Sequence, residues 1–309
     1  MKPGENGLFV VEGPVGDRAD PIDDAESRTA ELPHPGRLPA AGPELPDRLV
    51  PAVDSGLRGW AGRLRGVLPR NVVALLLTAL VAALPTHFFV GRVDDTLIAA
   101  PALSDLAGGF GLLLLPLMWL AYFAVSALPL LIFLAGVVGA VLPTAADDRR
   151  PAFRTVWSLV AYRLRTLWLW VAAFGLLAQS LPLLFNADQL GDGVEIPLGI
   201  ILTVASTAAL TLVGMLGCVV LVEHGRGPRR ALQLLSLTQT AGLVVAGLVF
   251  TVLPRLAAAL GGVAETLTTA VTGVLWAVAA LVTYAQARRA EGPVTSVSLR
   301  AELAAPELF

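Results

Sequence analysis

The 309-residue sequence has few charged residues, one cysteine and one lysine. Soluble domains carry about 25% charged residues, whereas this chain carries 15% and is 55% apolar. The composition therefore excludes an ordinary soluble protein and indicates an integral membrane protein. The single Cys218 lies in an apolar run, so an intrachain disulfide is excluded and the thiol is interpreted as a packing residue. Because all basic residues except Lys2 are arginines, the composition also indicates a GC-rich bacterial genome.

The sequence also lacks the motifs of common enzyme and metal sites. It contains no HExxH, no paired CxxC, no phosphate-binding glycine loop and no serine elbow. Its three histidines, His34, His87 and His224, are too far apart in the predicted topology to share one metal. The basic clusters lie at helix ends, where membrane topology explains them without nucleic acid. We therefore expect no enzymatic activity, no cofactor, no metal and no nucleic-acid partner.

The sequence does contain six apolar runs of about 20 residues or more, the length that a helix needs to cross a bilayer. The second run belongs to a longer stretch, 107–142, which contains Pro116 and Pro129. We interpret it as one kinked span, because two short spans would reverse the orientation of everything that follows. The predicted fold is thus an all-α membrane protein with a bundle of six transmembrane helices. The runs are 71–90, 112–142, 166–185, 197–222, 237–260 and 266–286.

The loops between these runs alternate between arginine-rich and acidic. Basic residues in short loops stay in the cytoplasm. Six crossings therefore put both termini and all the arginine-rich loops on the cytoplasmic face of a bacterial plasma membrane. The arginines assigned to that face are Arg58, Arg63, Arg65, Arg70, Arg149, Arg150, Arg154, Arg163, Arg165, Arg226, Arg229, Arg230, Arg288 and Arg289.

Three stretches outside the runs have the spacing of an amphipathic helix. In 48–70, apolar residues recur every three or four positions, with Trp60 and Val67 among them. Weaker patterns occupy 151–165 and the residues after Pro228. Such helices lie in the cytoplasmic interface, with the apolar face toward acyl chains and arginines toward anionic headgroups. The candidate headgroup contacts are Arg58, Arg63, Arg65, Arg154, Arg165, Arg229 and Arg230.

These features divide the chain into four parts. Residues 1–47 carry ten acidic residues, four basic residues and eight prolines, so we expect a disordered leader, with an acidic docking tail as the alternative. An interfacial helix (48–70), a six-helix transmembrane domain (71–287) and a short cytoplasmic tail (288–309) follow. An interfacial helix followed by a hairpin of two spans occurs three times, which suggests three pseudo-repeats.

Two carboxylates are candidates for structural ion pairs at helix ends. Glu223 closes the fourth run and lies within reach of Arg229 or Arg230 across the next turn. Arg255 lies near the outer end of the fifth run, where its long side chain reaches the headgroups, and Glu265 follows across a glycine turn. The alternatives are a functional carboxylate for Glu223 and a substrate-binding role for Arg255.

The second half of the chain carries a family resemblance. Its residues are Glu223, the helix after Pro228 that contains Ala231, and the sequence YAQARRAEG with Tyr284, Arg288, Glu291 and Gly292. On these residues, 151–303 resembles the membrane-domain family associated with glycerophosphodiester phosphodiesterases and related six-helix proteins of actinobacteria. The resemblance implies a six-helix bundle with interfacial helices, without the hydrolase domain.

The absence of charged residues near the span centres favours a non-enzymatic scaffold or accessory subunit, in contact with lipid and with a membrane-protein partner. A permease for a small or amphiphilic molecule is the alternative. Its candidate polar groups are Gln179, Ser180, Ser206 and Thr207. A third hypothesis, a lipid-modifying enzyme at the interface, has only Glu223, His224 and Asp147 as candidate groups.

Overall fold

A computed structural model describes residues 47–51, 55–90, 111–147, 158, 160–161, 163–184, 195–223 and 227–305. Within these ranges the chain is all-helical and contains no strand. The helices are α1 (Gly56–Arg70), α2 (Val72–Pro85), α3 (Gly111–Asp147), α4 (Leu164–Leu184), α5 (Glu195–Val222), α6 (Pro228–Leu237), α7 (Ala241–Ala258), α8 (Gly262–Glu291) and α9 (Ser296–Ala304). A short π-helical turn, Thr86–Val90, follows α2.

Four helices contain segments long and apolar enough to cross a membrane, and a fifth crossing is added if α1 and α2 count as one bent pair. These segments are Phe123–Asp147, Gly199–Val222, Ala241–Ala258 and Gly262–Glu291. They lie within α3, α5, α7 and α8. α4 extends over 21 residues and is apolar for most of its length. The helices thus have the length and composition of a multi-pass membrane protein.

The long second run forms one continuous helix. α3 extends over 37 residues and includes both Pro116 and Pro129 without interruption. The structure therefore contains a single helix, where the sequence analysis preferred one kinked span to two short spans. α3 also continues past the predicted boundary at residue 142, because the residues up to Asp147 still pack at the end of the bundle.

Six helices, α2 to α5, α7 and α8, alternate in direction. One end of the bundle contains the starts of α2, α4 and α7 together with the ends of α3, α5 and α8. We call it the basic end and define it by Arg70, Arg163, Arg230 and Arg288. Contacts at this end include Trp60 with Thr283 and with Gly242, Arg163 with Leu221, and Arg300 with Asp147. The opposite end contains His87 beside Thr266 and Arg255 beside Thr203.

The core is densest where α8 passes between α3, α5 and α7. Trp276 is fully buried and stacks on Phe250 of α7 at 5.6 Å between ring centroids. Phe133 of α3 packs edge-on against the same Phe250 ring. Glycines permit this close approach: a methyl group at Gly273 would overlap the Phe133 ring, and one at Gly217 would lie 2.5 Å from Leu134. Small residues therefore set the helix spacing, as is usual inside membranes.

The first amphipathic helix packs against protein, whereas the sequence predicted that its apolar face would contact acyl chains. α1 begins at Gly56, which has φ +52°, and is bent by 84° from α2. Trp60 lies against Gly242 at the start of α7 and donates from Nε1 to Thr283 Oγ1 at 3.0 Å. Val67 is buried in the core. The bundle thus covers the part of this face that contains Trp60 and Val67, whereas Leu57 on the same helix stays 49% exposed.

Candidate functional site

The most developed polar site is an arginine–carboxylate network at the basic end, centred on Glu223. This residue follows the last turn of α5, and its side chain is only 3% exposed. Its carboxylate accepts hydrogen bonds from Arg230 Nε at 2.8 Å and from the Tyr284 hydroxyl at 3.2 Å. Arg288 Nη1 lies 3.0 Å from Oε1 of the same carboxylate, the oxygen that also accepts from Tyr284. The negative charge is thus held by groups from both α6 and α8.

Arg230, in the first turn of α6, connects two carboxylates. Besides Glu223, it contacts Glu291 at the end of α8, with Nη1 at 2.6 Å from Oε1 and Nη2 at 2.5 Å from Oε2. The hydrogen bond to Glu291 raises the pKa of Arg230, burial lowers it, and the contacts with Glu223 raise it again, with a net increase above the ordinary value. The guanidinium therefore stays protonated throughout the physiological pH range.

Arg288 extends the network to α9. Its two terminal nitrogens donate to the two oxygens of Glu302, each at 2.9 Å, in the bidentate geometry that makes Arg–carboxylate pairs strong. Nη1 also donates to the hydroxyl of Tyr284, one helical turn earlier, at 3.0 Å. Three carboxylates and two guanidiniums consequently join the ends of four helices: α5, α6, α8 and α9.

A second set of contacts fastens α9 from its other side. Arg163 is buried and donates to the carbonyl oxygens of Leu221 and Ala305, which end α5 and α9. These carbonyls carry the partial negative charge of a helix C-terminus, which a guanidinium neutralises. Arg300 pairs with Asp147 at the end of α3.

Asp47 anchors the beginning of the described chain to α9. Its Oδ1 accepts the backbone N–H groups of Leu49 and Val50, both at 2.9 Å, and its Oδ2 accepts that of Ser296 at 2.7 Å. Ser296 is the first residue of α9, so the carboxylate occupies the positive N-terminus of that helix. The sequence prediction assigned Asp47 to the leader, whereas the structure makes it part of the folded unit.

The structure brings only some of the sequence-predicted site residues together. Glu223 and Arg230 lie in the network. The structure does not place Arg154, His224 or the side chain of Gln179, which fall outside the described residues. Among the candidate headgroup contacts, Arg58, Arg65, Arg165 and Arg229 are exposed at the basic end and Arg63 is half-buried.

The proposed pair of Arg255 with Glu265 is not formed. Arg255 Nη1 lies 3.4 Å from Thr203 Oγ1 of α5, and neither of the two charged residues has an ion pair within the described part of the chain. The two residues flank Gly261, whose φ of +110° shapes the turn. Arg255 is directed toward α5, whereas Glu265 lies exposed in the first turn of α8. The pairing prediction was therefore wrong, because the turn separates the two side chains.

The acidic side chains of the network are bonded to arginines. Over the described ranges, no group of three or more His, Cys, Asp or Glu side chains could hold a metal ion. Glu223, Glu291 and Glu302 all accept from arginines, and Asp147 is paired with Arg300. Cys218 is fully buried among apolar side chains of the core. The arrangement holds the ends of the helices together.

Sequence reasoning missed Arg163, Glu302 and Asp47 as site residues. Arg163 was assigned only to the cytoplasmic loops, since periodicity does not distinguish a buried arginine from an exposed one next to it. The pair Thr295 and Ser298 was an available signal, because these residues form a capping box that starts α9. With α9 recognised, Glu302 would fall in its last turn.

No protein-family model, curated protein sequence or solved structure matches the chain. The family resemblance given above therefore stays a prediction. Its quoted residues Glu223, Tyr284, Arg288 and Glu291 are members of the network just described. The function has to be argued from this geometry alone.

Proposed function

We propose that the chain crosses a bacterial cytoplasmic membrane six times, through α2, α3, α4, α5, α7 and α8, with the basic end and both termini in the cytoplasm. The alternating helix directions support an even number of crossings. The arginines gathered at one end support the orientation. In this topology α1 and α6 each precede a hairpin, as the pseudo-repeats require.

Within that membrane we propose a non-enzymatic role as a scaffold or accessory subunit. The close packing of the interior carries this proposal. Gly136 meets Thr78 of α2, with a would-be methyl group 2.6 Å from Thr78 Cγ2, and Gly214 meets Ala280 at 3.0 Å. With Gly217 and Gly273, these contacts fill the crossings of α2, α3, α5 and α8 with protein atoms. Such a core suits a rigid platform, and the exposed arginines of α1 and α6 suit contact with anionic headgroups.

Cysteine labelling tests the topology. In a Cys218→Ala background, Gly262→Cys and Gly292→Cys add a thiol where no atom lies within 4 Å of the new side chain. A membrane-impermeant maleimide added to spheroplasts should label position 262, whereas position 292 should react only after permeabilisation. Labelling of position 292 from outside would contradict the proposed orientation.

A permease for a small or amphiphilic molecule is the second candidate, and one observation favours it. Among the described residues, the indole Nε1 of Trp276, fully buried in α8, has no hydrogen-bond partner. A transported molecule with an acceptor oxygen would satisfy it. Proteoliposomes distinguish the two roles: the scaffold proposal expects solute flux equal to that of empty vesicles, and a flux that Trp276→Phe abolishes would establish the permease instead.

A further inference from the structure

Two guanidinium groups hold the last turn of α9 against the end of α5. Arg288 binds both oxygens of Glu302 and also contacts Glu223. Arg163 binds the carbonyl oxygens of Ala305 and Leu221. The accepting groups on α9 are the carboxylate of Glu302, which carries a full negative charge, and the carbonyl of Ala305 at the helix C-terminus. α9 thus supplies the anionic occupant of a cationic site that the rest of the bundle builds.

The geometry at Arg288 is one that a phosphate group can reproduce. A guanidinium binds carboxylate and phosphate oxygens in the same parallel, two-bond arrangement. Arg288 is 15% exposed and mostly fixed in place, whereas the side chain of Glu302 is 36% exposed. An external anion can therefore approach the carboxylate that it would replace, while the arginine remains positioned for it.

α9 is attached to the bundle by polar contacts and by two buried leucines. Its N-terminus is held by Asp47, the Ser296 hydroxyl donates to the carbonyl of Ala145 at 3.3 Å, and Arg300 pairs with Asp147. Within the helix itself, only Leu299 and Leu303 are fully buried apolar side chains. A helix of nine residues is not stable on its own, so α9 needs both its two buried leucines and its charged contacts.

We propose that Arg163 and Arg288 form a binding site for a phosphate group with one negative charge, and that the last turn of α9 is an intramolecular plug that occupies this site. The preference for a single negative charge on the ligand follows from two carboxylates that stay beside Arg288 when α9 leaves. Glu223 lies 3.0 Å from Arg288 Nη1 and Glu291 lies 3.8 Å from Arg288 Nε. They would repel a second negative charge, so a phosphate diester is preferred to a dianionic monoester. The inference does not depend on the scaffold role.

Hydrogen–deuterium exchange of the full-length protein in nanodiscs tests the plug. We expect amides 296–304 to exchange faster in phosphatidylglycerol discs than in discs of digalactosyldiacylglycerol, a lipid without phosphate, or after dimethyl phosphate is added to the latter. Glu302→Gln weakens the plug, so about tenfold less phosphate diester should give the half-maximal response. The matched control Glu265→Gln removes the same charge at the opposite end of α8 and should leave that concentration unchanged.

The two probes separate the sources of the phosphate. A response to phosphatidylglycerol alone assigns the site to a lipid headgroup, and a response to dimethyl phosphate alone assigns it to a soluble diester; both support the site. An equal response to sodium chloride at the same ionic strength would overturn it. So would a Glu302→Gln variant with the same half-maximal concentration as the wild type. The Glu302→Gln test keeps the Arg288 side chain, so it remains valid even if a variant such as Arg288→Gln fails to fold.

Discussion

The two ends of the bundle are held in different ways. At the basic end, Glu223, Arg230 and Arg288 join four helices through short ion pairs, and the adjoining part of α8 from Trp276 to Ala287 is buried almost throughout. At the opposite end, the polar contacts between side chains of different helices are two hydrogen bonds of 3.4 Å among the described residues. There Val263 and Leu267 of the same helix are 67% and 60% exposed.

This difference shows that one membrane helix can serve two environments. The half of α8 near the basic end is a core element surrounded by protein. The half near the opposite end presents apolar side chains outward. In a membrane, contact of such side chains with acyl chains carries no hydrophobic penalty. We therefore expect substitutions to be costly at the basic end and mild at the other.

Glu223→Gln should have the largest effect. Removing one member of a buried ion-pair network leaves uncompensated charge, which costs about 3 kcal/mol. We expect this decrease in the free energy of unfolding by denaturant titration in detergent micelles. Glu265→Gln, which changes an exposed carboxylate at the opposite end, should stay within about 0.5 kcal/mol of the wild type. Equal losses in the two variants would refute the contrast.

Gly273→Ala tests the close packing in the core half of α8. The new methyl group would overlap the Phe133 ring, and overpacking costs about 1 to 3 kcal/mol. Gly262→Ala, in the first turn of the same helix, meets no atom within 4 Å. Since alanine favours helix over glycine by about 0.5 to 1 kcal/mol, that variant should be neutral or slightly more stable. A tolerated alanine at position 273 would show that the interior can expand.

Trp60→Phe tests the attachment of α1 to the bundle. The substitution removes the 3.0 Å hydrogen bond to Thr283 and keeps most of the ring. The expected loss is about 0.5 to 1.5 kcal/mol, accompanied by faster proteolysis within 56–70. Leu57→Ala is the matched control, because Leu57 is 49% exposed on the same helix. Equal protease sensitivity of both variants would mean that α1 is held by other contacts.

Arg255→Gln should have the smallest effect. The side chain is exposed and makes one long hydrogen bond to Thr203, so we expect a change below about 0.5 kcal/mol in the same denaturant titration. A loss comparable to that of Glu223→Gln would indicate a structural role for this arginine that its contacts do not suggest.

The sequence predicted an all-helical chain with several helices long and apolar enough to cross a membrane, because such helices can be recognised from the length and hydropathy of apolar runs. The helical content of 71–90, 197–222 and 266–286 follows from length and hydropathy alone. It did not predict where α1 packs, since an amphipathic face fits acyl chains and protein equally well. Trp60 finds Thr283 across 223 residues of sequence, and local periodicity carries no information on such a pairing.

The same limit applies to the site. The proximity of Glu223 and Arg230, seven residues apart, was within reach of sequence reasoning. The bonds of Arg288 to Glu223 and Glu302 depend on how α5, α8 and α9 end beside one another. The Arg255 and Glu265 prediction used sequence proximity in the same manner and was wrong, because a turn of positive φ intervenes.

A pair of double-mutant cycles tests the contrast between the two ends most directly. One cycle combines Glu223→Gln with Arg230→Gln, and the other combines Arg255→Gln with Thr203→Val, each followed by the free energy of unfolding. We expect a coupling of about 1 to 3 kcal/mol for the first pair and less than about 0.5 kcal/mol for the second. Equal coupling energies, or a larger one for Arg255 and Thr203, would contradict the account.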